Sequence, residues 1–216
     1  MLVKQKMTKT PITTRNDMSV PDALDLMHEK KVHRLPVLDP DGNLVGIISE
    51  SDLLYASPSP ATTLNVWEMH ALLAKLKVEK VMTRKVITVT EDTPIEEAAR
   101  IMVDKQIGGL PVLREKDLVG IITETDIFKV FISMFGALRP GVRVSASIAG
   151  VKGDFAKVAS AIFHAGGNIV GLGFDEVVDA PEGPWEMTMK VQDIPKNKLV
   201  EVLKPEVIKI YDIRNM

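Results

Sequence analysis

The spacing of apolar residues changes period several times along the chain, and each change marks a predicted element. Apolar residues recur at i, i+3, i+4 and i+7 over residues 20–27 and again over residues 95–102, which is typical of amphipathic helices. Short continuous apolar runs, LPVL followed by LVGII, occur over residues 35–48 and 110–122, and each pair of runs predicts a hairpin of two strands. Short strands around Ile12 and Ile87 precede the helices.

These elements form an internal repeat. Residues 3–54 align with residues 78–128, and the hairpin turn of the second copy, REKD (114–117), is one residue shorter than that of the first, DPDGN (39–43). Each copy predicts the order β-α-β-β-α. One copy of this size would bury too little surface to be stable alone, so we expect the two to pack about a pseudo-twofold axis.

The last third of the chain follows a different pattern. Residues 142–149 and 185–191 alternate between apolar and polar positions, as half-buried strands do, and residues 155–162 have helical spacing that ends at Gly166-Gly167. With strands over 168–174 and 207–213 and a short helix over 196–203, the predicted order is β-α-β-β-α-β, a ferredoxin-like sandwich.

Composition and charge exclude several classes of function. The chain has 216 residues, 45% of them hydrophobic and 26% charged, with a net charge of −2 and no cysteine. The mild negative charge disfavours nucleic acid as a partner, and the lack of cysteine excludes disulfides and zinc-thiolate sites. No stretch predicts a signal peptide or a membrane span, so we expect a soluble, cytoplasmic protein. No nucleophile–base pairing or metal-ligand spacing is visible, which favours a non-catalytic protein without a metal.

Two seven-residue motifs, GIISESD (46–52) and GIITETD (120–126), have two readings. Ser49-x-x-Asp52 and Thr123-x-x-Asp126 have the spacing of capping boxes, which needs no ligand. A helix N-terminus with a carboxylate also suits a phosphorylated ribose, because free N–H groups attract phosphate and a carboxylate accepts hydrogen bonds from hydroxyls. The residues alone leave both readings open.

The repeat order, the hxxLPVh strand and the GIIT-x-x-D ending resemble the CBS domain, and two copies resemble a CBS pair, or Bateman module. The resemblance implies adenine nucleotide as ligand (AMP, ADP, ATP or S-adenosylmethionine), with the aspartate on the ribose. Expected site 1 is Thr10, Pro11, Ile12, His33, Arg34, Leu35, Pro36, Ser49 and Asp52. Expected site 2 is Arg84, Lys85, Val86, Ile87, Gly108, Gly109, Leu110, Pro111, Thr123 and Asp126.

The two expected sites differ where a phosphate would bind. The first copy has His33-Arg34 where the second has Gly108-Gly109, and the second has Arg84-Lys85 before its first strand. Arginine can bind phosphate through two hydrogen bonds, whereas glycine leaves room for a close approach. We therefore expect the two sites to differ in affinity or in nucleotide preference.

The C-terminal pattern resembles the ACT domain, an amino-acid-sensing module, and the whole chain resembles the acetoin-utilisation protein B family. Gly153, Asp154 and Asn168 are the expected ligand or interface residues, although Gly150 and Lys152 stand where the ACT pattern has aspartate and proline. An amino-acid ligand and a ligand-free dimerisation surface both remain open. The resemblance implies a homodimer that regulates an enzyme or transporter.

The expected fold class is α+β, with two CBS repeats and one ferredoxin-like domain. The expected boundaries are 1–56 for the first repeat, 57–77 for a linker with a helix, 78–135 for the second repeat, 136–141 for a second linker and 142–216 for the ACT-like domain.

Overall fold

A computed structural model describes residues 1–56, 75–176 and 184–216. The expected linker with a helix (57–77) falls largely outside these ranges. The chain divides into two compact units, Met1–Ile127 and Phe128–Met216. The division lies within a helix, earlier in the chain than the expected linker over 136–141.

The first unit contains the two predicted repeats. The elements of the first repeat are a 3-10 turn (Val3–Gln5), β1 (Thr8–Lys9), β2 (Thr14–Arg15), α1 (Val20–Lys30), β3 (Arg34–Leu38), β4 (Leu44–Ser49) and α2 (Glu50–Tyr55). Those of the second are α3 (Val78–Val81), β5 (Val89–Thr90), α4 (Ile95–Lys105), β6 (Gly109–Arg114), β7 (Asp117–Thr123) and α5 (Glu124–Met134).

The order β-α-β-β-α is confirmed in both copies, but the position predicted for the first strand is wrong. Ile12 and Ile87 lie outside strands, and the strand begins two residues later in each repeat, at Thr14 and Val89. The reason is tertiary: β2 and β5 pair in parallel with β3 and β6, at Thr14↔Val37 and Val89↔Val112. An apolar run indicates an extended segment but does not choose its register.

The N-terminal segment of each repeat lies on the other repeat. β1 pairs with β7 of the second repeat at Thr8↔Ile121, and Thr83 forms the equivalent bridge to Ile47 of the first repeat. Two main-chain hydrogen bonds join Thr83 and Ile47, at 2.9 and 3.0 Å. The 3-10 turn likewise bonds to the second repeat, where Val3 N–H donates to the Thr93 carbonyl at 2.9 Å. The repeats are therefore joined by exchanged segments.

Buried side chains of the second repeat likewise pack into the core of the first. The core of the first repeat contains Ala23, Leu35 and Ile48 from its own helix and hairpin, and Val78 and Met82 from the second repeat. Four of these five side chains are fully buried, and Met82 is 7% exposed. Removing the second repeat would thus open the core of the first.

Two glycines make room for the exchanged methionines. A Cβ on Gly46 would lie 3.0 Å from Met82 Cγ, in contact with its sulfur, and a Cβ on Gly120 would lie 2.6 Å from Met7 Sδ. Real Cβ atoms do not approach neighbours this closely, so each motif needs glycine at its first position for packing.

The second unit has the predicted order β-α-β-β-α-β. Its elements are β8 (Val142–Ile148), α6 (Asp154–His164), β9 (Asn168–Glu176), β10 (Trp185–Gln192), α7 (Lys196–Leu203) and β11 (Lys209–Asn215). The sheet order is β11-β8-β10-β9, and all neighbouring strands are antiparallel. One face of this sheet packs against α6 and α7 through a core that includes Val144, Met187, Met189, Ile162 and Leu199.

Replacement of Gly46 by alanine tests the exchanged packing. We expect Gly46→Ala to lower the free energy of unfolding by about 1–3 kcal/mol, because the added methyl group displaces Met82. Urea denaturation would measure this change. In a Gly46→Ala/Met82→Ala double variant the two costs should be less than additive, since truncated Met82 leaves space for the new methyl group. Fully additive costs would contradict the contact.

Candidate functional site

Both motifs form hydrogen bonds at the start of a helix. Ser49 is the N-cap of α2, and its Oγ accepts a hydrogen bond from Asp52 N–H at 3.3 Å. The Asp52 carboxylate in turn accepts hydrogen bonds at Oδ2 from Ser49 N–H (2.8 Å) and from Ser49 Oγ (2.7 Å). Thr123 makes the same two bonds to Asp126 Oδ2, at 3.0 and 2.8 Å. The capping box is therefore confirmed for Ser49-x-x-Asp52, and Thr123-x-x-Asp126 shares its bonds to the carboxylate.

The cap leaves part of one carboxylate available. Both bonds to Asp52 go to Oδ2, and no donor among the described residues reaches Oδ1. Asp52 is partly exposed, whereas Asp126 is 9% exposed. An oxygen of Asp52 can thus accept a hydrogen bond from a bound hydroxyl while the cap stays intact.

A cavity of about 250 Å³ opens beside Ser49 and Asp52. It lies between the repeats, because the cap comes from the first repeat and the opposite wall comes from the second. The lining residues are Arg34, Ile47, Ser49, Asp52, Thr83, Lys85, Val86, Ile87, Gln106, Ile107, Gly108 and Gly109. We call this cavity the first cleft.

The residues that line the first cleft differ from the expected grouping of site residues. Lys85, Val86 and Ile87 were assigned to site 2 with Asp126, but they line the cleft of Asp52. The cause is the exchange described above: the bridge from Thr83 to Ile47 carries the following residues onto the first repeat. Thr10, Pro11 and Ile12 correspondingly follow β1, which lies against β7, the strand that ends at Thr123.

Two cations line the first cleft. Lys85 is exposed, and Arg34 is partly buried. The Arg34 guanidinium lies against Gly108, where it would touch any Cβ, and its Cδ would lie 3.3 Å from a Cβ on Gly109. Neither cation forms an ion pair with a carboxylate of the described residues. With Asp52 as the one acidic side chain in the lining, the cleft carries a net positive charge that suits a phosphate.

Gly108-Gly109 therefore has a steric role that the sequence did not reveal. It gives space to an arginine of the other repeat, which crosses toward the second repeat and also approaches Glu124 near Gly108. His33-Arg34 and Gly108-Gly109 occupy matching positions in the two repeats, and they distinguish the two expected sites. Arg34 also packs directly against the glycine pair, so the two differences are complementary.

The remaining expected residues take other roles. Leu35 and Leu110 are fully buried in the strands, and Pro36 and Pro111 are buried beside them. Arg84 donates to the Glu79 carbonyl at 2.8 Å and lines a separate surface cavity with Asn43 and Lys116. Arg84 is thus absent from the lining of the first cleft.

His33 is held at the start of α2. Its Nδ1 lies 2.7 Å from Glu50 Oε2, and His28 Nε2 lies 3.3 Å from Glu50 Oε1. The hydrogen bond from His33, followed by that from His28, lowers the pKa of Glu50 below its usual value. His33 does not line the first cleft.

Four lining residues of the first cleft were not predicted: Ile47, Thr83, Gln106 and Ile107. Gln106 ends α4 in a left-handed conformation with φ 53°, as Lys31 ends α1 with φ 54°. This turn directs the chain toward the cleft after the helix. Gln106 and Lys31 occupy matching positions in the two repeats, and this match was the sequence signal that could have predicted the turn.

In the second unit, the expected ligand residues do not converge. Gly153 lines a small apolar cavity with Val151, Phe155 and Trp185. Asp154 is 9% exposed and accepts a hydrogen bond from Val151 N–H at 3.2 Å, so it closes the turn before α6. Asn168 is exposed at the start of β9 and lies outside the lining of this cavity.

Two kinds of feature are absent from the residues that the structure describes. No helix there has the length and apolarity to cross a bilayer. Within the same ranges, no group of three or more histidine, cysteine, aspartate or glutamate side chains is placed to hold a metal ion.

The model of the CBS domain family matches residues 3–59 and 78–133, the two repeats of the first unit. The chain therefore belongs to the CBS domain family, and these two repeats are a tandem CBS pair. The family match ends at residue 133, before the sheet of the second unit, so it does not identify that unit as an ACT domain.

Solved structures of CBS pairs are similar to the first unit. The CBS domain pair of protein MJ0100, in complex with 5′-methylthioadenosine and S-adenosyl-L-methionine, is 33% identical, with a TM-score of 0.51, and the match covers 61% of this chain and 95% of that one. CBSX2 in complex with AMP is 30% identical, with a TM-score of 0.51 and coverages of 61% and 96%. CBS pairs similar to this chain thus bind adenosine compounds.

A third similar structure is that of a bacterial protein. A protein of Vibrio cholerae described as an acetoin utilization protein is 30% identical, with a TM-score of 0.53, and the match covers 64% of this chain and 95% of that one.

Removal of the Ser49 hydroxyl tests the cap. We expect Ser49→Ala to lower the free energy of unfolding by about 1 kcal/mol, because the N–H of Asp52 loses its acceptor. Ser51→Ala is the matched control, since Ser51 is an exposed neighbour in α2. Chemical denaturation of both variants would measure the difference, and equal stabilities would refute a structural role for the cap.

Proposed function

We propose that the chain is a non-catalytic regulatory protein that senses an adenine nucleotide in the clefts of its CBS pair. One observation carries the proposal: Asp52, Arg34 and Lys85 line the same cleft. The carboxylate accepts hydrogen bonds from the ribose hydroxyls, and the two cations bind the phosphate. The complexes of MJ0100 and CBSX2 support an adenosine compound as the ligand.

The charge of the first cleft favours a phosphorylated ligand. AMP, ADP and ATP carry negative charge that Arg34 and Lys85 attract, whereas 5′-methylthioadenosine is neutral and S-adenosylmethionine carries a sulfonium cation. An arginine can make two parallel hydrogen bonds to one phosphate, which strengthens this preference. We therefore propose that AMP or a longer adenosine phosphate binds the first cleft in preference to adenosyl sulfur compounds.

Calorimetry with AMP, ATP, adenosine, 5′-methylthioadenosine and S-adenosylmethionine tests this function. We expect AMP to bind, Asp52→Ala to weaken that binding by about tenfold or more, and Asp52→Ala/Asp126→Ala to abolish it. Asp22→Ala is the matched control, because Asp22 bonds Ser19 Oγ in a similar cap at α1 and lies outside the first cleft. Absence of binding by every compound would refute nucleotide sensing.

Charge-removing variants test the phosphate preference separately. Arg34→Leu and Lys85→Met should each weaken AMP binding while leaving adenosine binding nearly unchanged. Arg84→Leu should leave both unchanged, since Arg84 lines a different cavity. If Arg34→Leu weakened adenosine and AMP equally, the arginine would shape the cleft and not bind the phosphate.

A second function is favoured by the hydrogen bonds within the two motifs. Because Asp52 and Asp126 already accept two hydrogen bonds each, the motifs are satisfied without ligand. In this alternative the chain is a structural or dimerisation protein whose modules bind no small molecule. It predicts that no nucleotide raises the melting temperature, although Ser49→Ala still lowers it.

The proposal extends to the rest of the chain. We propose that the second unit is an ACT-like domain that transmits nucleotide binding to a regulated enzyme or transporter, and that the protein is a homodimer. An amino acid bound near Gly153 and a role in acetoin or acetate metabolism belong to the same proposal, supported by the strand order and by the similar Vibrio cholerae protein. Such coupling requires nucleotide to favour one of two states of the protein.

A further inference from the structure

One arginine lies between the two sequence motifs of the CBS pair. Arg34 pairs with Ser49 across β3 and β4. Gly109 pairs in the same way with Thr123 across β6 and β7. Arg34 and Gly109 therefore hold the same place in the two repeats. Because glycine has no side chain, this place carries one side chain in the pair of repeats and not two.

The repeat relates the first cleft to a second one around Asp126. Thr123 and Asp126 make the same two hydrogen bonds to the carboxylate that Ser49 and Asp52 make in the first cleft. One wall of the first cleft follows the segment that pairs with the other repeat, and the matching segment around Asp126 follows β1, which pairs with β7. We call this corresponding place the second cleft.

Arg34 belongs to both clefts. Arg34 and Gly109 together line the first cleft. Exchange of the two repeats turns each of these positions into the other, so the same pair of positions belongs to the second cleft. The pair therefore lies close to the pseudo-twofold axis, and its one side chain is available to both clefts.

The contacts of Arg34 agree with this placement. A Cβ on Gly109 would lie 3.3 Å from Arg34 Cδ and 3.5 Å from Thr123 Cγ2. A Cβ on Gly108 would lie 2.6 Å from Arg34 Cζ and 2.7 Å from Glu124 Oε2. Glu124 is the first residue of α5, directly after Thr123. The side chain of Arg34 thus extends from the first cleft to the second motif at the start of α5.

Each cleft has one lysine of its own. Lys85 lines the first cleft, and Lys31 holds a lining position of the second cleft by the repeat. Both lysines are exposed. His33 is the other basic residue at a second-cleft position, and its Nδ1 lies 2.7 Å from Glu50 Oε2. Arg34 is therefore the cation that the two clefts have in common.

One guanidinium group cannot serve two phosphates equally. A phosphate that binds arginine through two parallel hydrogen bonds occupies one edge of the guanidinium group and neutralises its charge. A second phosphate then meets a cation that is already neutralised, and the first phosphate repels it. Binding of a phosphate in one cleft therefore weakens binding of a phosphate in the other.

We propose that the two clefts are negatively coupled through Arg34, which binds the phosphate in one cleft at a time. This inference rests on the proposed function, because it requires an adenosine phosphate to bind in both clefts. The first nucleotide bound lowers the affinity for the second, and by linkage the coupling is the same in both directions. The bound fraction then rises over a wider range of nucleotide concentration than two equal, independent clefts would give.

Calorimetry with AMP on the full chain and on two single variants measures the coupling. Asp52→Ala weakens the first cleft and Asp126→Ala the second, so each variant reports one cleft while the other is empty. We expect the product of the two stepwise association constants of the unchanged chain to be at least about tenfold smaller than the product of the two single-cleft constants. One AMP bound by the unchanged chain, and one by each variant, would be the extreme form of this result. Equal products would overturn the proposal, as would a folded single variant that binds no AMP.

Arg34→Leu separates a shared arginine from simple repulsion between two phosphates. Without the arginine, both single-cleft affinities should fall, and the two products should agree to within about threefold, because water and salt screen the remaining repulsion. Coupling that stays tenfold or grows in this variant would overturn the proposal. If Arg34→Leu does not fold by circular dichroism, Arg34→Gln gives the same comparison. Arg84→Leu is the matched control and should keep the coupling, since Arg84 lines a different cavity.

Adenosine tests the coupling without any change in the chain at Arg34. It has no phosphate, so the product of its stepwise constants should equal the product of its single-cleft constants. Coupling of adenosine as strong as that of AMP would overturn the role of Arg34. Absence of AMP binding by the unchanged chain would refute the proposed function and this inference together, whereas uncoupled binding in both clefts would refute the inference alone.

Discussion

Main-chain pairing between the N-terminal segment of one repeat and the hairpin of the other is the constraint on which the CBS pair depends. Thr83 bridges Ile47 while Thr8 pairs with Ile121, so each small sheet is completed by residues from the other copy. The same exchange places Met82 in the first core. A repeat of this size cannot bury enough apolar surface alone, and sharing segments makes the two copies one cooperative unit. The first cleft exists because of this sharing.

The helix caps connect stability with ligand binding. Asp52 Oδ2 satisfies the cap without a ligand, and Oδ1 accepts no hydrogen bond from the described residues. A preformed N-terminus costs little to organise on binding, which favours affinity. The two readings of the motif are therefore compatible in this fold, because a cap uses one oxygen of the carboxylate and a ribose hydroxyl needs another.

The two faces of the sheet in the second unit differ in polarity. One face is apolar and packs on two helices, whereas the other carries Arg143, Ser145, Thr188 and Lys190, and Phe135 covers the glycines of β9. Ser145 and Thr188 hydrogen-bond each other at 3.2 Å, and Arg143 donates to Asp212 at 2.9 Å, as half-buried polar groups usually find partners. Lys190 likewise donates to an oxygen of Met216, at 3.4 Å.

The sequence by itself determined the elements and their order. Periodicity placed α1 and α4, the duplicated hairpins and the βαββαβ pattern, because apolar spacing reports which face of a local element is buried. It also found Ser49, Asp52, Thr123 and Asp126, since a capping box is local. Only the tertiary structure decided the register of β2 and β5 and the partners within each cleft. Lys85 joins Asp52 and Arg34 lies on Gly108 because segments far apart in the chain exchange places, and no local pattern encodes which copy a segment will pair with.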